Sequence, residues 1–196
     1  MDIDDILNVL NTATSVVDVI EKLVNNNQAD TPTDNPTPPA PPDPTVPPPT
    51  GLPAFPTGNI LIKDLEYLHP TVQSAANKAI AECANLGYNL TVVETYRTFE
   101  RQAALYQQGR TTPGNIVTDA EEGQSYHNYG VALDLSPTDA TMAAVFQKYG
   151  FEWGATWKTF KDPPHFQMTF GLSIAQLQML YDQGGMDKVW SYFPVS

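Results

Sequence analysis

Ser125-Tyr126-His127-Asn128-Tyr129-Gly130-Val131-Ala132-Leu133-Asp134-Leu135 is the stretch on which the fold of this chain turns. It reads as a loop running into a strand. Side chains alternate across a strand, so Val131, Leu133 and Leu135 take one face and bury, while Gly130, Ala132 and Asp134 take the other. That second face is two residues with almost no side chain followed by a carboxylate, an odd surface for a purely structural strand. A glycine in a strand marks close approach to the backbone, and His127 just upstream offers a second polar ligand.

A matching stretch lies downstream, Lys161-Asp162-Pro163-Pro164-His165-Phe166-Gln167-Met168-Thr169-Phe170. Alternation buries Phe166, Met168 and Phe170 and turns His165, Gln167 and Thr169 the other way. If the two strands pair, His127, Asp134 and His165 converge on one ion. Two imidazoles and a carboxylate leave a fourth tetrahedral position open, the pattern of a catalytic zinc site. Asp162 is the candidate proton acceptor. It precedes His165 by three residues across two prolines, and an extended proline segment has three residues per turn, so both side chains share a side. Arg97, just after the strand Asn89–Thr95, is placed to meet a developing oxyanion, and Ser125 to hold a substrate carboxylate or orient a ligand. Each residue also has a plainer reading. His69 is expected to be a packed or surface histidine, Asp162 could cap a turn, and Arg97 could pair with Glu94 or Glu100. Together the plain readings weaken, because the chain has three histidines and two of them fall on the site face.

Outward from the two stretches, the pattern predicts a helix over 70–86, with Pro70 in its first turn and Gly87 at its end. A strand is expected over 89–95, then a helix over 98–109 capped by Thr98 and stopped by Gly109. A polar loop covers 110–126. Strands are expected at 130–135 and 165–170, and helices at 138–149 and 173–183 capped by Thr138 and Ser173. Short strands between helices without a parallel-crossover rhythm indicate an α+β fold. The lone cysteine, Cys83, sits in an apolar helical stretch and reads as a buried thiol, which excludes an internal disulfide.

The remaining third of the chain is different. Of 196 residues 18 are proline, most of them before residue 57. Residues 26–56 therefore read as a semi-rigid linker, and 57–196 as the folded domain. In residues 2–25, Ile3, Ile6, Leu10, Ala13, Val17, Ile20 and Val24 repeat at steps of three and four, a heptad seam. Residues 1–25 read either as an amphipathic helix for oligomerisation or docking or as an N-terminal arm with little order of its own. The net charge of −12 argues against nucleic acid and anionic lipid as partners. The acidic start MDIDDIL does not resemble a secretory signal, and no apolar run is long enough to span a membrane. Synthesis in the cytoplasm is the expectation.

Ser125-x-His127-x-x-Gly130-x-Ala132-x-Asp134, followed by Asp162-x-x-His165-Phe166, resembles the zinc D-alanyl-D-alanine carboxypeptidases and L-alanyl-D-glutamate endopeptidases of bacteria and bacteriophages. Tyr96-Arg97-Thr98-x-Glu100-x-Gln102, the Gly109–Gly114 loop and Gly150-Phe-Glu-Trp153-Gly154 look like the endopeptidase branch, phage endolysins in particular. The resemblance covers about 57–171. It implies an α+β fold around a small antiparallel sheet, Zn2+ on His127, Asp134 and His165, Asp162 as general base and Arg97 at the oxyanion. Ser125, Tyr96 and Trp157 are the candidate substrate contacts. One departure is Gly154-Ala155-Thr156-Trp157, where the family often has Gly-Gly-Asp-Trp. The implied substrate is peptidoglycan in the cell wall, with the L-Ala–D-Glu bond favoured. A D-Ala-D-Ala carboxypeptidase, a component of a virion or secretion machine docked through residues 1–25, and a non-catalytic peptide-binding zinc module are the competing readings.

Overall fold

The computed structural model describes residues 51–194, so the expectations for residues 1–25 and for most of the linker lie outside the described residues. Helix α1, Pro70–Asn85, begins where proline's missing N–H costs nothing. It buries the stripe Val72, Ala76, Ala79 and Cys83, and it ends before Gly87, whose φ of 90° is the left-handed conformation glycine tolerates. Strand β1, Thr91–Glu94, leads to α2, Phe99–Gln107, whose first turn is capped by the Thr98 hydroxyl accepting from Arg101 N. A single 3₁₀ turn, Tyr126–Tyr129, precedes β2, Ala132–Ser136. Helix α3, Ala140–Lys148, starts one residue later than expected, because the Asp139 carboxylate rather than Thr138 accepts from Met142 N. Strand β3, Glu152–Trp153, the 3₁₀ turn Gly154–Thr156, strand β4, His165–Gln167, and helix α4, Ile174–Trp190, complete the order. Ser173 and Gln176 form a capping box at the start of α4, and Gly184 and Gly185 break its helical geometry.

The strands form one antiparallel sheet in the order β1-β2-β4-β3. With helices flanking it, the fold is α+β, as the sequence indicated. Register sets the two faces. Leu133 lies opposite Phe166, and Asp134 lies opposite His165. Leu133, Leu135 and Phe166 are fully buried, and the Phe166 ring packs 4.9 Å from that of Phe146 on α3. A side chain of this kind, fully withdrawn from water, contributes about 1.5–3 kcal/mol. The opposite face carries Asp134, His165 and Gln167. The register of β1 on β2 slips between Val92 and Glu94, which sets Glu94 beside Asp134 on the polar face, as bulges do when they re-aim a side chain.

Three local expectations need correction. Gly130 does not lie in the strand; it caps the 3₁₀ turn with φ 68°. What approaches it is the chain itself, since a Cβ there would lie 2.8 Å from the Tyr67 carbonyl oxygen and 2.9 Å from the Trp190 ring. The small residues of this stretch thus serve packing, and Ala132 is fully buried. Strand β4 stops at Gln167, short of Phe170, whose φ of 51° takes the backbone out of extended geometry. The packed body also reaches into the stretch read as linker, because Phe55 packs its ring 4.8 Å from Tyr96 and 5.3 Å from Trp190. Among the described residues no helix is long and apolar enough to cross a membrane.

Candidate metal centre

His127 Nε2, His165 Nδ1 and Asp134 Oδ1 face one another on the polar side of the sheet, at 3.0 Å between the imidazoles and 3.2 and 3.4 Å from each to the carboxylate. Their protonation follows from their other contacts. His127 Nδ1 lies 2.6 Å from the Thr95 carbonyl oxygen. A carbonyl only accepts, so Nδ1 carries the proton and Nε2 presents a lone pair. His165 Nε2 lies 2.9 Å from Gln167 Oε1, and the Gln167 amide nitrogen donates at 3.1 Å to Glu152. The amide oxygen is thereby turned to accept from His165 Nε2, which leaves a lone pair on Nδ1. Two imidazole lone pairs and a carboxylate oxygen converge with no proton to share. That arrangement is repulsive by itself and fits a cation. Ligand bonds of ~2.0–2.1 Å place tetrahedral ligands about 3.3 Å apart, in line with the separations found. Thr95 and the Gln167–Glu152 pair are the outer contacts that orient imidazole ligands in metal sites.

The electrostatics agree. Burial holds the His127 pKa below its ordinary value, more than the Asp134 charge raises it, so the ring stays neutral. Burial pushes the Asp134 carboxyl up, while positive charge and hydrogen-bond donation from the His127 and His165 side pull its pKa well below the usual carboxylate range; with both rings neutral, a cation between the three groups is what supplies that positive charge. Arg97 NH2 adds a contact at 3.3 Å to Asp134 Oδ2.

Asp162 is half-buried at the same cavity, and its pKa is raised first by burial and then by the Asp134 charge. The extended proline geometry expected for Asp162–His165 is a turn instead. His165 N donates to the Asp162 carbonyl at 3.1 Å, and Asp162 N donates to Gly154 O at 3.1 Å. The turn ties Asp162 directly to the Gly154 backbone, and His165 to it through Asp162.

The cavity over these residues has a volume of about 550 Å³ and is also lined by Arg97, Arg101, Ser125, Trp157 and Phe160. Ser125 caps the 3₁₀ turn, its Oγ accepting from His127 N at 3.3 Å. Trp157 sets its ring 5.1 Å from that of His165. Arg97 is buried and held by Glu94, at 3.0 Å from Nε and 2.6 Å from NH2, and by Gln102 at 3.0 Å from NH1. Tyr96 is not part of this group. It is buried on the other side of the chain and lines a separate cavity with Phe55, Phe99 and Tyr181. His69 is fully buried, caps α1 by accepting from Thr71 N at 3.3 Å, and stands apart from the centre.

Sequence reasoning missed the bracing of the site. Gln167 sits two residues from His165, and strand alternation already put both on one face; the need of a ligand imidazole for an outer partner was the available signal. Glu94 was weighed as a surface partner for Arg97, but the register slip in β1 that buries it has no local sequence signal. Arg101 was not singled out.

A family profile described as VanY, D-alanyl-D-alanine carboxypeptidase, matches residues 65–171. The peptidoglycan L-alanyl-D-glutamate endopeptidase CwlK of Bacillus subtilis (strain 168) is 40% identical over 122 residues, covering 52% of this chain and 73% of CwlK. The L-alanyl-D-glutamate peptidase of Listeria phage A118 is 28% identical over 123 residues, covering 56% of this chain but only 41% of the phage protein. The crystal structure of the Serratia marcescens L-Ala D-Glu endopeptidase ChiX aligns at 25% identity with a TM-score of 0.42, covering 54% of this chain and 84% of that one. With the profile spanning more than half of its residues and CwlK matched along most of its length, this chain belongs to the VanY D-alanyl-D-alanine carboxypeptidase family.

Proposed function

We propose that this chain is a zinc-dependent peptidase that hydrolyses peptidoglycan stem peptides at the L-Ala–D-Glu bond. The observation that carries the reading is the convergence of His127 Nε2, His165 Nδ1 and Asp134 Oδ1 with their lone pairs directed at one point. The identity to CwlK supports the choice of bond. His127, Asp134 and His165 would hold the ion, which when bound supplies Lewis acidity for a water and for the scissile carbonyl. Asp162 takes the proton of the attacking water and delivers it to the leaving amine. Arg97, fixed by Glu94 and Gln102, holds positive charge where the oxyanion develops. Ser125 and Trp157 contact substrate at the cavity wall. Tyr96, which lines another cavity, is not carried forward as a contact at this site.

The test is digestion of defined peptidoglycan, with products read by mass spectrometry, beside His165→Ala, Asp162→Ala and chelator-treated protein. Fragments ending in L-alanine and beginning with D-glutamate, from the untreated wild type alone, support the reading. Loss of terminal D-alanine only would move the enzyme to carboxypeptidase chemistry at the same centre. No product despite stoichiometric zinc would leave a binding module. For residues 1–25 we propose docking, on a virion or another assembly, with the cell wall as the place of action. Deletion of residues 1–30 should then leave cleavage of soluble muropeptide unchanged, and loss of that cleavage would refute a docking role.

A further inference from the structure

The cavity walls are mostly acidic or neutral where they are polar, with Glu94, Asp119, Asp134 and Asp162 among them. Its cationic side chains are Arg97 and Arg101, and the two are used differently. Arg97 spends its guanidinium inside the protein, on Glu94 twice, Gln102 and Asp134. Arg101 sits in the first turn of α2 with its side chain 20% exposed. Of the five N–H donors of a guanidinium, it places Nε on Glu94 and NH1 at 3.5 Å from Asn59, which leaves three without a partner among the described residues. Asp119 is taken by Arg110 at 3.0 Å. Arg101 and Leu105 are four residues apart on α2, and both line the cavity together with Arg97, which precedes the helix, so helical spacing turns the Arg101 side chain to the same wall as Leu105. Glu94, buried between the two arginines, holds Arg101 by its Nε edge.

A partly exposed guanidinium anchored at one edge, with its outer edge unassigned, is suited to a planar anion. The substrate of the proposed reaction brings one. D-Glutamate has two carboxyl groups, and when the peptide continues through one, the other stays free on the residue that leaves as the amine. Conversion of that carboxyl to a carboxamide would remove its charge and leave the rest of the peptide unchanged. We infer that Arg101 binds this free carboxylate and makes the enzyme selective for the acid over the amide. The inference rests on the proposed reaction, since it names the substrate group held at that site. Arg101 is a specificity residue here: it pairs with the part of the substrate that distinguishes the two forms and takes no part in proton transfer.

The experiment compares two synthetic muropeptides that differ only in this group, free carboxylate or carboxamide, for the metal-loaded wild type and for Arg101→Gln and Arg101→Lys. The readout is the ratio of kcat/KM values. The same pair with an N-methylated scissile amide, which resists cleavage, gives the ratio of Kd values by calorimetry. The wild type should favour the acid by about tenfold or more, the scale of a charge-assisted hydrogen bond. Arg101→Gln should bring both ratios close to one, chiefly by losing the acid, and Arg101→Lys should retain a preference. A purely structural role for Arg101 through Glu94 would lower both substrates together and leave the ratio intact, and that result overturns the inference, as does a wild-type ratio near one. Because the wild-type ratio needs no variant, a misfolded Arg101→Gln does not remove the test. If the wild type cleaves neither peptide, the proposed reaction itself fails, and the inference falls with it.

Discussion

Gly154 offers the sharpest test of how the site is held. A Cβ built on it would lie 2.5 Å from the carbonyl oxygen of Asp162 and 3.2 Å from the Cβ atoms of both Asp162 and His165. Ordinary contacts sit near 3.5 Å, so Gly154→Ala demands a displacement of about 1 Å. Asp162 cannot swing aside alone. Its N–H is bonded to Gly154 O, its carbonyl to His165 N, and two prolines stiffen the turn between them. The shift therefore passes to the Asp162 carboxylate and the His165 ring together. A misplacement of ~1 Å costs about 10²-fold in rate. Gly154 lies outside the left-handed region, so alanine brings no backbone strain, and the stability cost should stay within the 1–3 kcal/mol of an overpacked site. Gly171→Ala is the contrasting variant. That residue has φ 77° and nothing within 4 Å of its added Cβ, so it should lose about 1 kcal/mol of stability and keep its activity. The assay is kcat/KM on a soluble muropeptide, with melting temperature and bound zinc measured on the same samples. A Gly154→Ala enzyme within threefold of wild type would refute the claim that this contact positions the acid and the ligand.

Other predictions concern the ion, the base and the buried histidine. Saturating zinc, at a thousand times its Kd, should stabilise the wild type by ~4 kcal/mol, and Asp134→Asn should lose most of that gain in a thermal melt. Asp162→Asn should keep zinc stoichiometry and lower kcat by roughly 10²–10⁴-fold; a decrease under tenfold would exclude Asp162 as the base. His69 is fully buried, its Nε2 has no partner, and burial lowers its pKa to about 4. A folded-state pKa below the unfolded value of ~6.5 means the unfolded chain takes the proton first, so stability present above pH ~6.5 drains away as pH falls towards 4. The full loss is about 3 kcal/mol. Urea melts at pH 7 and pH 4.5 should show it, and His69→Gln should flatten that slope.

Much of the fold was legible because period and caps are local properties. The stripe Val72, Ala76, Ala79 and Cys83 announces α1, and Thr98 and Ser173 announce the starts of α2 and α4. Boundaries were less legible where two residues compete for one role. Thr138 and Asp139 both suit an N-cap, and the choice fell to Asp139, which Tyr88 also holds at 2.8 Å. Strand alternation put Asp134 and His165 on polar faces without saying that they face each other. Small residues misled, since Gly130 makes room for Tyr67 and Trp190, which no local pattern can reveal.

By itself the sequence determined which side chains could meet a metal and which faces would bury, since alternation, capping and the chemistry of two imidazoles and a carboxylate depend only on neighbours along the chain. Tertiary structure decided the rest. The pairing of β2 with β4 brought Asp134 opposite His165, the slip in β1 buried Glu94 between two arginines, and the split between two cavities separated Tyr96 from Arg97. Register and burial arise between segments far apart in the chain, where packing of the whole core selects one pairing among several that each segment alone would permit.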